Sequence, residues 1–342
     1  MSNAVSRKVV PSIRYNGKKV NTVLADFIEN VSFEDIADGE SDTLSIQLHN
    51  IDLRWMSTWY PQLKDKLSCT FTFKDWNWPG NNVKLSCGNF TLADVTFSGN
   101  PRIGKLEAVA LPAAASLQCR QRTKTWKKVK LKKIGKEIAK RYGLKYSYSG
   151  SAITIKVIEQ TNETDLTFLQ KVCETYGRGL KIYKGKIVIF DKASLEKKKA
   201  VASITPTSFI DGAWTYNTTL TGTYTGARIS YRKKKGKGKN KKEKTISIYV
   251  GYTKEDKSGA RMLKLSDQAE NKADAKLKAA AKVNAANESA VTLEGPIWPN
   301  PKIVAGATVT VKSFGKANGK YFVDKVTTDR SRSEERRVGK EC

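Results

Sequence analysis

The chain has 342 residues, 39% of them hydrophobic, and a formal net charge of +29. Its length exceeds that of most single domains, so we expect two or three domains with packed cores. No apolar run reaches about 18 residues, which predicts no membrane span. The N-terminus lacks the apolar stretch of a signal peptide, so synthesis in the cytoplasm is expected.

The basic excess is compatible with nucleic acid, an anionic surface or an acidic protein as partner. The lysines are spread through predicted helices, hairpins and one loop, which fits solvated faces at least as well as one binding stripe. The cysteines lack the C-x-x-C spacing and the nearby histidines of disulfide frameworks or zinc sites, so most of them are interpreted as small buried residues. They are Cys69, Cys87, Cys119, Cys173 and Cys342.

The first hundred residues have an all-β pattern. Asn16-Gly17 predicts a tight hairpin, and residues 42–50 alternate apolar and polar side chains. The stretches KLSCTFTFKDW and VKLSCGNFTLADVTFSG continue with short strands. Strands at this spacing, separated by Gly and Asn turns, predict a sandwich or a barrel.

Residues 120–195 change to a small α+β pattern. Apolar residues at helical spacing predict one helix that ends at Gly143 and a second that Thr164 caps and Gly177 ends. A strand, ITIKVIEQ, lies between them, and a hairpin that turns at Lys184-Gly185 follows. The predicted buried stripes of the two helices are Leu131, Ile134, Ile138 and Tyr142, and Leu166, Leu169, Val172, Cys173 and Tyr176.

Strands return after a linker over 197–207. FIDGAWTYNTT and TYTGARISYR are predicted strands, an Ala- and Lys-rich helix is predicted over 266–287, and GATVTVKSFG and GKYFVDKVT are predicted as the last strands. Residues 232–244 carry nine basic residues, one acid, two glycines and no apolar residue, which predicts a long hairpin loop. The loop is either solvated without a partner or contacts a polyanion or an acidic partner. The residues that would make such a contact are Arg232, Lys233, Lys234, Lys235, Lys237, Lys239, Lys241, Lys242 and Lys244.

Three stretches recur in the same order. Residues 27–35 resemble 209–217, the stretch from Trp59 resembles the stretch from Trp298, and residues 88–96 resemble 319–327. Generic strand composition would explain each match alone. Their common order indicates two related β-domains on either side of the α+β part, so that a trimer would present six similar modules.

Three groups of residues have the chemistry of a site. His49 has no predicted nucleophile or acid partner, and is interpreted as a satisfied edge histidine. Trp55, Trp59, Trp76 and Trp78 either stack on sugars or bases or fill a core or interface. The acids of FEDIADGESD either pair for catalysis or calcium binding or form a polar turn, and they lack the calcium-loop spacing. These acids are Glu34, Asp35, Asp38, Glu40 and Asp42.

The order of parts resembles the phage late control protein D family. That family includes baseplate hub proteins of contractile-tailed phages, phage-tail-like bacteriocins and the N-terminal part of VgrG from type VI secretion. Two patterns carry the resemblance, W…L…I…IA…YGL from Trp126 to Leu144 and Q-x-N-E-x-D-L-x-F-L…YG from Gln160 to Gly177. Two further stretches fit the same family, FEDIADGESDTLSIQL and PNPKIVAGATVTVKSFGKANGKYFVDKVT. The resemblance therefore covers roughly residues 10–327.

The resemblance implies an α+β, mainly β fold: two related barrel-like β-domains that flank the small α+β insert. It implies a homotrimeric structural adaptor between a hexameric tail tube and a trimeric spike, with other baseplate proteins as further partners. No catalytic, cofactor or metal site is implied, and nucleic acid is not expected as a specific partner. The location implied is a virion tail, baseplate or tail-like particle that is assembled in the host cytoplasm. The alternative is a non-catalytic basic module for nucleic acid or a cell-wall polymer.

The predicted domains are 1–118, the first β-domain; 119–196, the insert; and 197–331, a second and truncated β-domain. The last eleven residues, RSEERRVGKEC at 332–342, resemble an in-frame translation of a sequencing adapter. An ordinary basic terminus is the alternative. Removing this segment would change the net charge only to about +28, so the basic character does not depend on it.

Overall fold

The computed structural model describes residues 8–20, 24, 26–76, 78–110, 116–235, 242–253 and 261–331. Within these ranges strands greatly outnumber helices, and the predicted α+β, mainly β class is confirmed. No helix of these ranges is long and apolar enough to cross a bilayer.

An eight-stranded antiparallel sheet forms the first part. Alternating apolar residues, among them Phe71 and Phe90, cover its inner face and form one core. The turn at Asn16-Gly17 has both residues at positive φ, as predicted for a tight hairpin. In sheet order the strands are β2 (Lys18–Lys19), β1 (Lys8–Tyr15), β5 (Lys66–Lys74), β6 (Val83–Ser98), β7 (Ile103–Val109), β4 (Thr43–His49), β3 (Ile28–Ile36) and β21 (Lys325–Ser331).

The last strand of this first sheet comes from the far end of the chain. β21 runs antiparallel to β3, from Lys325 opposite Ile36 to Ser331 opposite Asn30. The single strand predicted over 319–327 is wrong, because the backbone changes partner between residues 323 and 324. The Val323 N–H donates to Ala307 O, whereas Asp324 O accepts from the first sheet. Among the described strands the sheet stays open, with β2 and β21 at its edges.

The insert packs two helices against two small sheets around one apolar core. β8 and β10 pair antiparallel, and β11 pairs with β12, which also pairs with β9. The predicted helices and their glycine ends are confirmed, and the Thr164 side chain accepts from the Thr167 N–H at 3.2 Å. The elements are α1 (Ser116–Cys119), β8 (Gln121–Lys130), α2 (Leu131–Arg141), β9 (Lys145–Tyr148), β10 (Thr154–Thr164), α3 (Asp165–Thr175), β11 (Arg178–Tyr183), β12 (Lys186–Asp191) and α4 (Lys192–Glu196).

The C-terminal half holds three small sheets and one long helix. The predicted helix start at 266 is wrong, because residues up to 269 pair with a neighbouring strand and Asn271 caps the helix. The strand predicted over 209–219 is correct only at Thr215–Thr218, because its beginning forms a 3-10 turn, Ile210–Gly212. The elements are β13 (Ala202–Ile204), β14 (Thr215–Thr218), β15 (Gly226–Lys235), β16 (Lys242–Gly251), β17 (Met262–Ala269), α5 (Lys272–Asn287), β18 (Val291–Glu294), β19 (Thr308–Val311) and β20 (Gly319–Phe322).

The recurring stretches lie in the two β-rich parts and make different contacts there. In the first, the Phe27 ring contacts the Trp59 ring, with centroids 5.5 Å apart. In the second, the Trp298 N–H donates to Ser208 O at 3.0 Å, beside Phe209. β5 pairs antiparallel with β6, and β19 pairs antiparallel with β20. The matching stretches differ in local structure, since residues 28–36 form one strand whereas residues 210–212 form a 3-10 turn, so the relation of the two parts stays a prediction from the sequence.

Candidate functional site

The Lys-rich segment extends an antiparallel ribbon. The pairing of β15 with β16 runs out to Lys235 opposite Lys242, with Lys233 opposite Lys244. The prediction of a loop over 232–244 is therefore wrong at both ends of that range, where the chain forms paired strands. Backbone hydrogen bonds hold such a ribbon together even where the sequence has no apolar residue. Of the nine predicted contact residues, Arg232, Lys233, Lys234, Lys235, Lys242 and Lys244 lie in strands, and Lys237, Lys239 and Lys241 lie outside the described residues.

The acidic cluster of the N-terminal part binds lysines of the insert. Lys181, on β11, forms ion pairs with Asp35 and with Asp42, the latter at 3.0 Å. Asp42 has no exposed surface, and its carboxylate also accepts a hydrogen bond from the Ile36 N–H at 3.1 Å. Burial raises the pKa of Asp42, while the Lys181 charge opposes the rise. The cluster is a buried structural contact, which argues against its use as a catalytic pair.

The same cluster reaches the C-terminal half. The second carboxylate oxygen of Asp35 accepts from the Ala305 N–H at 2.9 Å. Lys192, on α4, pairs with Asp38 at 2.8 Å and with Glu288 at 2.8 Å. Burial lowers the pKa of Lys192, but the hydrogen bonds to these two carboxylates outweigh it and raise the pKa above its usual range. We call these residues the junction, because their side chains connect all three parts: Asp35, Asp38, Asp42, Lys181, Lys192 and Glu288.

A second buried polar cluster lies inside the insert, on the motifs that carried the family resemblance. Asp165 accepts from Arg141 and from the Tyr142 hydroxyl, each at 2.5 Å, and from Gln160 at 2.9 Å. Arg122 completes the cluster at 3.2 Å. Burial would raise the pKa of Asp165, but the three hydrogen bonds hold it below its ordinary value. Each donor is directed at a carboxylate with no exposed surface, so the cluster holds the insert together.

The single histidine and most of the tryptophans have structural contacts. His49 Nδ1 lies 2.8 Å from the Glu29 carboxylate, on the neighbouring strand. Trp55 packs edge-on against Trp59, with centroids 5.4 Å apart. Trp78, by contrast, is 62% exposed. Within the described part of the chain, no group of three or more His, Cys, Asp or Glu side chains is arranged to hold a metal ion.

The clearest exposed feature is apolar. The segment between β4 and β5 carries five large apolar side chains that all face solvent, with Ile51 exposed at 70% and Leu63 at 58%. Isolated exposed apolar residues are common, and a group of five within one segment is a candidate interaction surface. We call this group the apolar segment: Ile51, Leu53, Met56, Tyr60 and Leu63.

The corresponding place in the C-terminal half also exposes apolar side chains. Trp298, which follows the sequence pattern of Trp59, is 57% exposed, and Trp214 is 43% exposed. The sequence placed tryptophans at both sites but gave no sign of which would face solvent, because that depends on long-range packing. The junction was missed as well, since Lys181 and Lys192 lie far along the chain from the acids that they bind.

Comparison with known proteins agrees with this fold. The model of the phage tail baseplate hub (GPD) family matches residues 42–333, and the chain belongs to that family. A search of curated protein sequences found no match.

Solved structures share the fold at low sequence identity. The 43 kDa tail protein of prophage MuSo2 from Shewanella oneidensis is 13% identical, with a TM-score of 0.62 over 96% of each chain. A tail protein from Neisseria meningitidis MC58 is 13% identical, with a TM-score of 0.63 over 95% of this chain and 93% of that one. Prophage tail protein gp18 from Listeria monocytogenes is 11% identical, with a TM-score of 0.53 over 89% and 86%. The chain is thus a structural tail hub protein by family, and these solved structures share its fold.

Proposed function

We propose that the chain is a non-catalytic adaptor that assembles as a homotrimer between a hexameric tail tube and a trimeric spike. Membership of the baseplate hub family supports a place in a tail or tail-like particle. The observation that carries the proposal is the apolar segment, because so much apolar surface on one segment calls for a partner. Other baseplate proteins are further partners.

The recurring stretches support a trimer that meets a six-fold tube. If they mark two related β-rich parts in each chain, three chains would present six similar units around one axis. The apolar segment surrounds Trp59 in the sequence, and Trp298, whose stretch resembles that of Trp59, is exposed. The junction contributes rigidity, because buried ion pairs fix the parts relative to one another.

The solution mass of the full chain tests the assembly. A mass three times the 38.0 kDa chain is expected by light scattering, together with rings in negative-stain images and binding to purified tube protein. Met56→Asp combined with Leu63→Asp should abolish trimer formation or tube binding, because it places charges in an apolar contact. Val157→Asp is the matched control, since Val157 is exposed on the insert. A strictly monomeric protein that never binds the tube would refute the proposal.

The Lys-rich ribbon is a candidate for a second role, contact with a polyanion or an acidic partner. Residues 232–244 hold nine basic residues and one acid, Glu243, which favours an anionic partner. Replacing Lys233, Lys235, Lys242 and Lys244 by Gln should weaken salt-sensitive adsorption to polyanions. Unchanged adsorption would remove this role and would leave the adaptor proposal intact.

A further inference from the structure

The insert concentrates positive charge within one short part of the chain. Residues 120–145 contain twelve basic residues and one acid, Glu137. That acid is already paired with Lys124 and Arg141, and Arg122 is paired with Asp165. The remaining lysines at the end of β8 and along α2 are all exposed, and none has an ion pair among the described residues. We call them the insert basic face: Lys127, Lys128, Lys130, Lys132, Lys133, Lys136 and Lys140.

The face has a regular geometry. Lys132, Lys136 and Lys140 follow one another at four-residue intervals along the outer side of α2, over a length of about 12 Å. Lys128 has a positive φ of 45°, and it and Lys127 are exposed side by side between two buried residues. Lys130 immediately precedes the helix. A ligand along the helix would therefore meet positive charge at repeated intervals.

The fold does not require these charges. Like charges four residues apart destabilise a helix, and cations in its first turn oppose the helix dipole. The stability of α2 comes from its opposite side, where Leu131, Ile134 and Ile138 have no exposed surface. Uncompensated charge that disfavours its own helix indicates a ligand that neutralises it.

The side chains define the chemistry of that ligand. Residues 127–140 contain seven lysines, no arginine and no aromatic residue. Protein interfaces favour arginine and aromatic side chains and are depleted in lysine, whereas stacking of single-stranded bases requires aromatic rings. Lysine ammonium groups act as point charges on phosphate groups without selecting a sequence. We infer that the insert basic face binds a phosphodiester polymer without sequence preference, a function beyond that of the adaptor.

Salt-dependent binding of the full chain tests this inference. The probes are a mixed-sequence duplex DNA and a poly(glycerol phosphate), which distinguish two sources of the same chemistry. Engagement of about five of the lysines predicts a log–log salt slope of about −4.5 for DNA. Lys132→Glu with Lys136→Glu and Lys140→Glu should lower the affinity about tenfold or more and reduce the slope by about three. Binding to either polymer with these effects supports the inference.

A control of equal charge separates this face from the overall charge of the chain. Lys272→Glu with Lys276→Glu and Lys316→Glu changes the net charge equally at exposed lysines elsewhere, and should leave binding nearly unchanged. Equal loss in both triple variants would overturn the inference, as would no binding of the unaltered chain at low salt. Polyglutamate bound as tightly as both polymers would overturn the phosphodiester assignment in favour of an acidic protein. The oligomeric mass of each variant shows whether assembly is retained.

Discussion

The Lys181 ammonium nitrogen lies 3.0 Å from a carboxylate oxygen of Asp42, a side chain with no exposed surface. One residue belongs to the insert and the other to the loop before β4 of the first sheet. Because both charges are withdrawn from water, each depends on the other, and the ion pair acts between two parts of the protein rather than within one.

Removing Lys181 should therefore destabilise the protein strongly. In Lys181→Met, the buried Asp42 and Asp35 carboxylates lose their cation, and a loss of about 3–5 kcal/mol in the free energy of unfolding is expected. Urea denaturation followed by tryptophan fluorescence measures it. Lys186→Met, an exposed substitution on β12, is the control and should change stability by less than about 0.5 kcal/mol.

The double variant Lys181→Met with Asp42→Asn distinguishes pairing from packing. If the loss arises from an unpaired buried charge, neutralising Asp42 should restore part of the stability. Additive losses in the double variant would contradict this explanation, and would assign the cost to the missing lysine side chain alone.

Local elements were predictable from the sequence, whereas the contacts between parts were not. Apolar spacing and caps act within a few residues, so α2, α3 and the turn at Asn16-Gly17 were predicted closely. The five acids of residues 34–42 indicated either a catalytic or calcium-binding pair or a polar turn. The ion pairs of Asp35 and Asp42 with Lys181 were not predicted, because Lys181 lies far along the chain. The pairing of β21 with β3 was missed for the same reason. The exposure of the apolar segment also depends on the surrounding sheet, which no local pattern encodes.

Asp165 should make the stability sensitive to acid. Its pKa in the folded chain lies below its unfolded value, so its contribution is present above about pH 4 and is lost as the pH falls through the folded pKa. Asp165→Asn should lower the free energy of unfolding at neutral pH by about 1–3 kcal/mol and flatten its fall in acid. Chemical denaturation at a series of pH values measures both effects.

Asp42 provides a control, because its pKa is shifted in the opposite direction from that of Asp165. Its pKa is raised by burial, so its contribution is greatest below its unfolded pKa and is lost as the pH rises through the folded pKa. Asp42→Asn should therefore make stability rise more steeply with pH just above about pH 4. If Asp165→Asn kept the acid dependence of the unaltered chain, the prediction for Asp165 would be wrong, because another group would cause that dependence.

Gly135, in the middle of α2, should be required for close packing. Replacing glycine by alanine in a helix normally gains about 1 kcal/mol. At this position an added Cβ would meet the Tyr146 side chain at 2.7 Å and Ile189 Cδ1 at 2.8 Å. Overpacking of this kind costs about 1–3 kcal/mol, so Gly135→Ala should be destabilising overall.

Thermal and urea unfolding of Gly135→Ala measure whether the cost of overpacking exceeds the gain in helix propensity. Lys133→Ala is the control on the exposed side of the same helix, where a change of a few tenths of a kcal/mol is expected, about the size of a propensity difference. In a background of Tyr146→Ala, Gly135→Ala should cost less, because the ring that opposes the Cβ is absent. A stabilising Gly135→Ala in the unaltered background would show that the helix shifts freely.

Only one thiol of the described cysteines should react in the folded chain. Cys119 is exposed, whereas Cys69, Cys87 and Cys173 are buried. A hydrogen bond with Cys69 together with burial raises the pKa of Cys87, and burial raises that of Cys173, so little thiolate forms at neutral pH. With an aromatic disulfide reagent, each reacting cysteine releases one aromatic thiolate. The Cys342→Ser chain should rapidly release one aromatic thiolate per chain when folded and four per chain when denatured. Adding Cys119→Ser should abolish the fast reaction, and a second fast equivalent would show that a core opens on the time scale of the assay.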